Sequence, residues 1–185
     1  MAERVAAALR PMGPARVYAS PLLRAHQTGR VIAEACGAGL EIVDELTEID
    51  FGRWTGSSFA DLSGDPEWIR WNSARAIARA PGGESMVEVQ ARTSGWIEQA
   101  RARHAGETIV AVSHADVIKA MLAEALGWSL DRHDRLQIDP ASISRLLAAD
   151  WGRKVLSINE AIDGPTDTGR DQDAGEGARR LVPQP

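Results

Sequence analysis

Residues 108–116 read Thr-Ile-Val-Ala-Val-Ser-His-Ala-Asp, and this stretch decides the fold of the chain. Its first five residues form an unbroken run of mostly β-branched side chains, which predicts a strand covered on both faces. Apolar residues then recur at steps of three and four from Val117 to Leu126, so a buried helix should follow and end at Gly127. His114 is therefore predicted at the carboxyl end of a parallel strand. Open α/β sheets bind ligands there, and a helix N-terminus favours an anion.

Composition sets the class of the protein. The 185 residues carry a net charge of −5 with 44% hydrophobic residues, which fits one globular domain with a sizeable core. The acidic balance argues against a nucleic-acid partner, which would require a basic face. No apolar run reaches the ~20 residues of a membrane span and no signal peptide is recognisable, so we expect no membrane partner. The single cysteine, Cys36, predicts a cytoplasmic location and lies on an apolar helix stripe, where it should pack in the core.

The amino-terminal third alternates helical and extended patterns. Residues 5–12 have helical spacing, with neither an N-cap nor a preceding strand. Residues 15–19 predict a short buried strand. Ser20 and Pro21 then predict the N-cap and first residue of a second helix. Residues 40–43 alternate in polarity, which predicts a second strand nearer the sheet edge.

The rest of the chain continues this alternation. Asp65-Pro66 predicts the start of a helix, and residues 86–100 predict a long one. Residues 142–148 and 154–158 read as two strands joined by a tight turn, so they should form an antiparallel hairpin. The predicted fold class is α/β, with three layers, a mostly parallel sheet, helices on both faces and this hairpin near the C-terminus.

The composition changes from Asp163 onward. Leu181 and Val182 are the only large apolar residues in the last 23 positions, too few to bury a core. We therefore expect one domain over residues 1–162 and a disordered C-terminal tail over residues 163–185.

Four separated pieces resemble the histidine phosphatase superfamily in its phosphoglycerate mutase-like branch. They are Ser20 to Thr28 (SPLLRAHQT), Glu45 to Gly56 with its Phe-Gly-Arg-Trp-Thr-Gly end, Pro81 to Ser85 (PGGES), and Val112-Ser113-His114. The resemblance implies phosphate-ester chemistry without a metal or other cofactor, on a small phosphorylated metabolite, by a monomer or homodimer. In the family, a first histidine is phosphorylated, and the phosphohistidine is hydrolysed or passed to another substrate oxygen.

The resemblance also implies roles for three residues. Arg24 would bind the phosphoryl group, because a guanidinium offers parallel donors to two phosphate oxygens. His114 would donate to phosphoryl oxygens and stabilise the charge of the transition state. Glu48 would protonate the leaving oxygen, because a nearby phosphate raises the pKa of a carboxyl group. The alternatives are a solvated arginine, a core histidine bonded to the backbone and an ordinary surface acid.

Other polar residues allow structural interpretations. Ser113 and Asp116 have the spacing of a capping box. A metal site from His114, Asp116 and His133 is a weaker alternative, because the spacing lacks repeated ligands. His26, His104 and His133 are predicted to lie at the surface.

The family's Arg-His-Gly motif on a first strand occurs nowhere in the chain. We therefore expect the chain to lack the nucleophile and a strand from the middle of the sheet, with N-terminal truncation favoured over degeneration. Three functions remain open. The first is a phosphatase that hydrolyses small phosphate monoesters through a phosphohistidine. The others are a phosphoglycerate mutase-type phosphomutase and a non-catalytic phosphate-binding pseudoenzyme.

Overall fold

The computed structural model describes residues 1–162, so the predicted tail over residues 163–185 lies outside the described residues. In chain order the helices and strands are α1 (Ala2–Leu9), β1 (Arg16–Ala19), α2 (Leu23–Cys36), β2 (Gly39–Ile42), α3 (Phe59–Leu62), α4 (Pro66–Ser73), α5 (Met86–Arg103), β3 (Ile109–Val112), α6 (Ala115–Ala125), β4 (Ile143–Ala149) and β5 (Gly152–Glu160). Short 3-10 turns occupy Arg10–Met12, Asp44–Leu46, Gly52–Trp54 and Leu130–Arg135.

The carboxyl ends of three parallel strands lie at one edge of a sheet, so the loops that follow these strands begin side by side. Its strand order is β2-β1-β3, and Ala19 is in register with Ile42 on one side and Val112 on the other. The residues that follow these three strand ends, among them Ser20 and Ser113, therefore lie side by side. This is the kind of edge at which the sequence analysis predicted His114.

Helices cover both faces of this sheet, as predicted. On one face α1 and α2 bury a cluster that includes Val5, Val17 and Ile32. On the other face Tyr18 packs with Trp96 and other residues of α5. The three-layer α/β class is confirmed. Separately, no helix within residues 1–162 is long and apolar enough to cross a membrane.

The carboxyl-terminal hairpin forms a sheet of its own. In the described part of the chain β4 and β5 pair with each other, and β3 pairs with β1 alone. Ala111 is exposed, so the prediction of a strand covered on both faces is wrong for β3, because its outer edge has no neighbouring strand.

Two helix starts differ from the sequence prediction. α2 begins at Leu23 with extended Leu22 as its N-cap, so Ser20 is not the cap. The Ser20 hydroxyl instead accepts a hydrogen bond from the Leu22 N–H (3.3 Å) and contacts His114. Ser113 likewise does not cap α6, whose N-cap is His114. Each serine oxygen also contacts a group distant in sequence: His114 for Ser20, and the Leu46 carbonyl for Ser113.

The other helix starts follow local rules. Asp65 caps α4 by accepting from the Glu67 N–H (2.8 Å), with Pro66 at the first position as predicted. The four-residue α3 was not predicted, although Ser58 and Asp61 close a capping box at its start.

Candidate functional site

His114 lies at the point where β3 ends and α6 begins. Its side chain is buried, and its Nε2 lies 2.8 Å from the hydroxyl oxygen of Ser20 at the end of β1. Ser20 is itself fully buried, and its N–H donates to the Val112 carbonyl (3.0 Å). Two neighbouring strand ends therefore hold the imidazole in place.

Arg24 lies in the first turn of α2, five residues beyond the end of β1, and its side chain is exposed. Its positive charge lowers the pKa of both Glu48 and His114. The guanidinium is therefore within electrostatic reach of both groups, and the three predicted site residues follow the three strands whose carboxyl ends lie at one edge of the sheet. An exposed cation at a helix N-terminus is unfavourable by itself and suits an anionic ligand there.

Glu48 belongs to the loop that follows β2. Its Oε1 accepts a hydrogen bond from the neighbouring Ile49 N–H (3.0 Å), while Ile49 itself is buried. The hydroxyl of Ser113 donates to the Leu46 carbonyl (2.7 Å), which ties this loop to the end of β3. Glu48 is thus positioned by its hydrogen bond with the Ile49 N–H and by the anchoring of its loop at Leu46.

Arg92 of α5 is a site-supporting residue that the sequence analysis missed. Its guanidinium donates to the carbonyl of Glu45 and to that of Thr47 (2.7 Å), and it pairs with the carboxylate of Glu84 (3.0 Å). Glu84 also accepts from the Asp50 N–H (3.0 Å). The Arg92–Glu84 pair therefore holds the Glu48 loop on both sides of Glu48, at Glu45 and Thr47 before it and at Asp50 after it.

Two glycines let this loop meet the 81–83 segment backbone to backbone. A Cβ on Gly83 would lie 2.1 Å from the Asp50 carbonyl oxygen, and one on Gly52 would lie 2.3 Å from that of Pro81. Only residues without a side chain permit this approach. The segment that resembled the family's PGGES loop thus supports the loop that carries Glu48.

Burial and charge shift the two titratable groups in opposite directions. Burial, followed by the negative charge of Asp116, raises the pKa of Glu48 to about 7 despite the Ile49 N–H and nearby arginines. Burial, followed by the charges of Arg24 and Arg92, lowers the pKa of His114 to about 4. At neutral pH the imidazole is therefore neutral and the Glu48 carboxyl is about half protonated.

Substituting Arg24 with alanine should raise both pKa values, because the Arg24 charge opposes protonation at each group. NMR titration of the Glu48 carboxyl carbon and the His114 ring would measure both shifts. Arg30→Ala removes an exposed charge from the same helix and should leave both values unchanged. If Arg24→Ala moved neither pKa, Arg24 would lie too far from both groups to share a site with them.

The remaining histidines correct part of the sequence analysis. His133 was predicted at the surface but is buried, and its Nε2 lies 3.3 Å from an Asp116 carboxylate oxygen. This pairing also replaces the predicted capping role of Asp116. His104 is only partly exposed and contacts the Tyr18 hydroxyl (2.7 Å), whereas His26 is exposed as predicted. Within residues 1–162 no group of three or more His, Cys, Asp or Glu could hold a metal ion.

The fold and the site define a class. The fold is α/β, and an exposed arginine, a neutral imidazole and a high-pKa carboxyl follow the carboxyl ends of its parallel strands. Groups of these kinds can bind a phosphate and protonate a leaving oxygen. Residues 1–161 match the histidine phosphatase superfamily (branch 1), and the chain belongs to this family.

Individual relatives agree with this assignment. The chain is 34% identical over 147 residues to Phosphoserine phosphatase 1 of Hydrogenobacter thermophilus, covering 77% of this chain and 69% of that protein. It is 37% identical over 151 residues to the Bifunctional protein Rv2228c of Mycobacterium tuberculosis, covering 80% of this chain and 41% of that longer protein. The fold resembles Bacillus stearothermophilus YhfR with a TM-score of 0.80 at 23% identity, covering 86% of this chain and 81% of the other.

Proposed function

We propose that this protein binds small phosphate monoesters and belongs to a metal-independent phosphatase that acts through a phosphohistidine. One observation supports the proposal most: Arg24, Glu48 and His114, far apart in sequence, follow the three strands whose carboxyl ends lie together at one edge of the sheet. Phosphatase is favoured over phosphomutase because a relative is named a phosphoserine phosphatase. The single cysteine supports a cytoplasmic location.

Each residue has a distinct role in this proposal. Arg24 offers parallel N–H donors to two phosphoryl oxygens. His114 donates from its ring to a phosphoryl oxygen, and a bound phosphate favours the protonated ring because opposite charges attract. Glu48 gives a proton to the leaving oxygen, since a pKa of about 7 leaves about half of the Glu48 carboxyl groups protonated at neutral pH. Ser20 fixes the His114 ring through the 2.8 Å contact.

The proposal assigns the nucleophile to none of the four histidines of this chain. His26 is exposed, His104 contacts Tyr18 and Glu107, and His133 pairs with Asp116. His114 would lose its donor role if it attacked the phosphoryl group that it stabilises. A non-catalytic phosphate-binding function is therefore the second candidate, favoured by the absence of Arg-His-Gly from the sequence.

Calorimetric titration with inorganic phosphate tests the binding half of the proposal. The 185-residue chain should bind phosphate at one site, and Arg24→Ala should weaken binding at least about tenfold, since charged hydrogen bonds contribute about 1.5–3 kcal/mol each. Arg30→Ala, which removes an exposed charge from the same helix, should bind as the parent chain does. Equal weakening by both variants would mean that net charge, not an Arg24 site, attracts the anion.

A further inference from the structure

A cavity of about 250 Å³ lies between β2, the turn that follows it and the second half of α5. It is separate from the proposed phosphate site, because none of Arg24, Glu48 and His114 lines it. Pockets for drug-sized ligands measure ~300–1,000 Å³, so this cavity suits a smaller molecule.

The inner wall of the cavity is buried and includes two aromatic residues, Tyr18 of β1 and Trp96 of α5. Their rings meet edge to face, with centroids 5.4 Å apart. Trp96 is about 8% exposed, and no group among residues 1–162 accepts a hydrogen bond from its indole N–H. Because an N–H on a buried side chain normally has an acceptor, Trp96 leaves a place in the cavity for an acceptor oxygen.

Charged side chains form the outer wall of the cavity. Three carboxylates line it, those of Glu41, Asp44 and Glu45, together with one guanidinium, that of Arg103. Arg103 pairs with Glu41 (3.1 Å). In the described part of the chain neither the Asp44 nor the Glu45 carboxylate has an ion-pair or hydrogen-bond partner. The cavity therefore carries two negative charges that nothing in its wall balances.

The backbone that carries these two carboxylates is held in place. Asp44 and Glu45 belong to the 3-10 turn Asp44–Leu46, and Arg92 donates to the Glu45 carbonyl. Arg92 itself pairs with Glu84 (3.0 Å), so its charge is already balanced. A turn that is fixed before binding lowers the cost of ordering a ligand site.

We propose that this cavity binds a small organic ammonium ion that also carries a hydroxyl group. The positive charge lies beside the Asp44 and Glu45 carboxylates and near the aromatic wall, which favours cations. The hydroxyl oxygen accepts from the Trp96 N–H. An anion would meet the unbalanced carboxylates, and a bare metal ion would leave the buried wall and the Trp96 N–H unused. The inference does not depend on the proposed phosphate chemistry.

Choline and its neutral isostere 3,3-dimethylbutan-1-ol test this inference, because they differ only in having nitrogen or carbon at the branched centre. In an NMR titration of the 185-residue chain, choline should shift the Trp96 indole N–H resonance, assigned with Trp96→Phe, and saturate at millimolar concentrations. The alcohol should bind at least about tenfold more weakly. Equal affinities, or a Trp96 resonance that choline does not move, would overturn the inference.

Substitutions at the cavity mouth locate the binding. Asp44→Asn and Glu45→Gln each remove one charge with little change of shape, and each should weaken choline binding at least about threefold. The double variant should bind choline no more tightly than the alcohol. Glu34→Gln removes an exposed carboxylate from α2, outside the cavity, and should bind choline as the parent chain does.

Two results of this series would also contradict the inference. If Glu34→Gln weakened choline binding as much as Asp44→Asn, the net charge of the protein rather than the cavity would attract the cation. If the double variant kept the parent affinity, choline would bind elsewhere.

Discussion

The 185-residue chain should not hydrolyse p-nitrophenyl phosphate in the presence of EDTA. The proposed chemistry needs a nucleophilic imidazole in line with the leaving oxygen, and no histidine of the chain is placed for this while His114 acts as donor. Removing the nucleophile from a coupled set of catalytic groups typically costs several powers of ten in rate. Turnover should therefore be indistinguishable from the reaction in buffer.

Two comparisons make this result informative. A chain extended upstream of Met1 by a strand that ends in Arg-His-Gly should turn over, and His114→Ala in that longer chain should lose most of the rate. Metal-independent turnover by the 185-residue chain itself, abolished by His114→Ala, would contradict the account and make His114 the nucleophile.

Replacing Arg92 with methionine should destabilise the protein more than replacing any exposed arginine. The substitution leaves the partly buried Glu84 carboxylate and the carbonyls of Glu45 and Thr47 without their donor. Leaving one partner of such a pair unpaired should cost about 2–3 kcal/mol, or a Tm decrease of about 5–10 °C. Chemical and thermal unfolding would measure both quantities.

A double-mutant cycle separates the ion pair from other effects of the substitution. Combining Arg92→Met with Glu84→Gln should cost less than the sum of the two single changes, by about 1 kcal/mol or more. Arg103→Met is the matched control on α5, where an exposed pair with Glu41 should contribute below about 1 kcal/mol. Additive costs for Arg92 and Glu84 would mean that the pair does not hold the loop.

Much of the fold could be predicted because its signals are local in sequence. The apolar run ending at Val112 and the stripe that follows placed His114 at a strand end. Arg24 and Glu48, which the resemblance to the family singled out, follow the strands that end at Ala19 and Ile42. Parallel strands bring their carboxyl ends together, so three distant positions became neighbours without any knowledge of their contacts.

The contacts that could not be predicted depend on the paths of the loop backbones, which bring together residues that are distant in sequence. The bond between Ser20 and His114 joins positions 94 residues apart, and the favourable Ser-Pro start pointed to a cap instead. Arg92 binds main-chain carbonyl groups. Every residue has such a group, so the sequence does not indicate which of them an arginine will bind. His133 was predicted to be exposed because its neighbours in sequence are charged. It lies in a 3-10 turn, in which successive side chains point in three different directions, and its own side chain faces Asp116.

The most direct measurement of the central claim is a crystal structure of the 185-residue chain grown with orthovanadate. The account predicts the oxyanion at the carboxyl edge of the parallel sheet, with vanadate oxygens within hydrogen-bond distance of the Arg24 guanidinium and the His114 ring. A well-ordered protein that holds vanadate elsewhere, with neither Arg24 nor His114 in contact with it, would contradict the account.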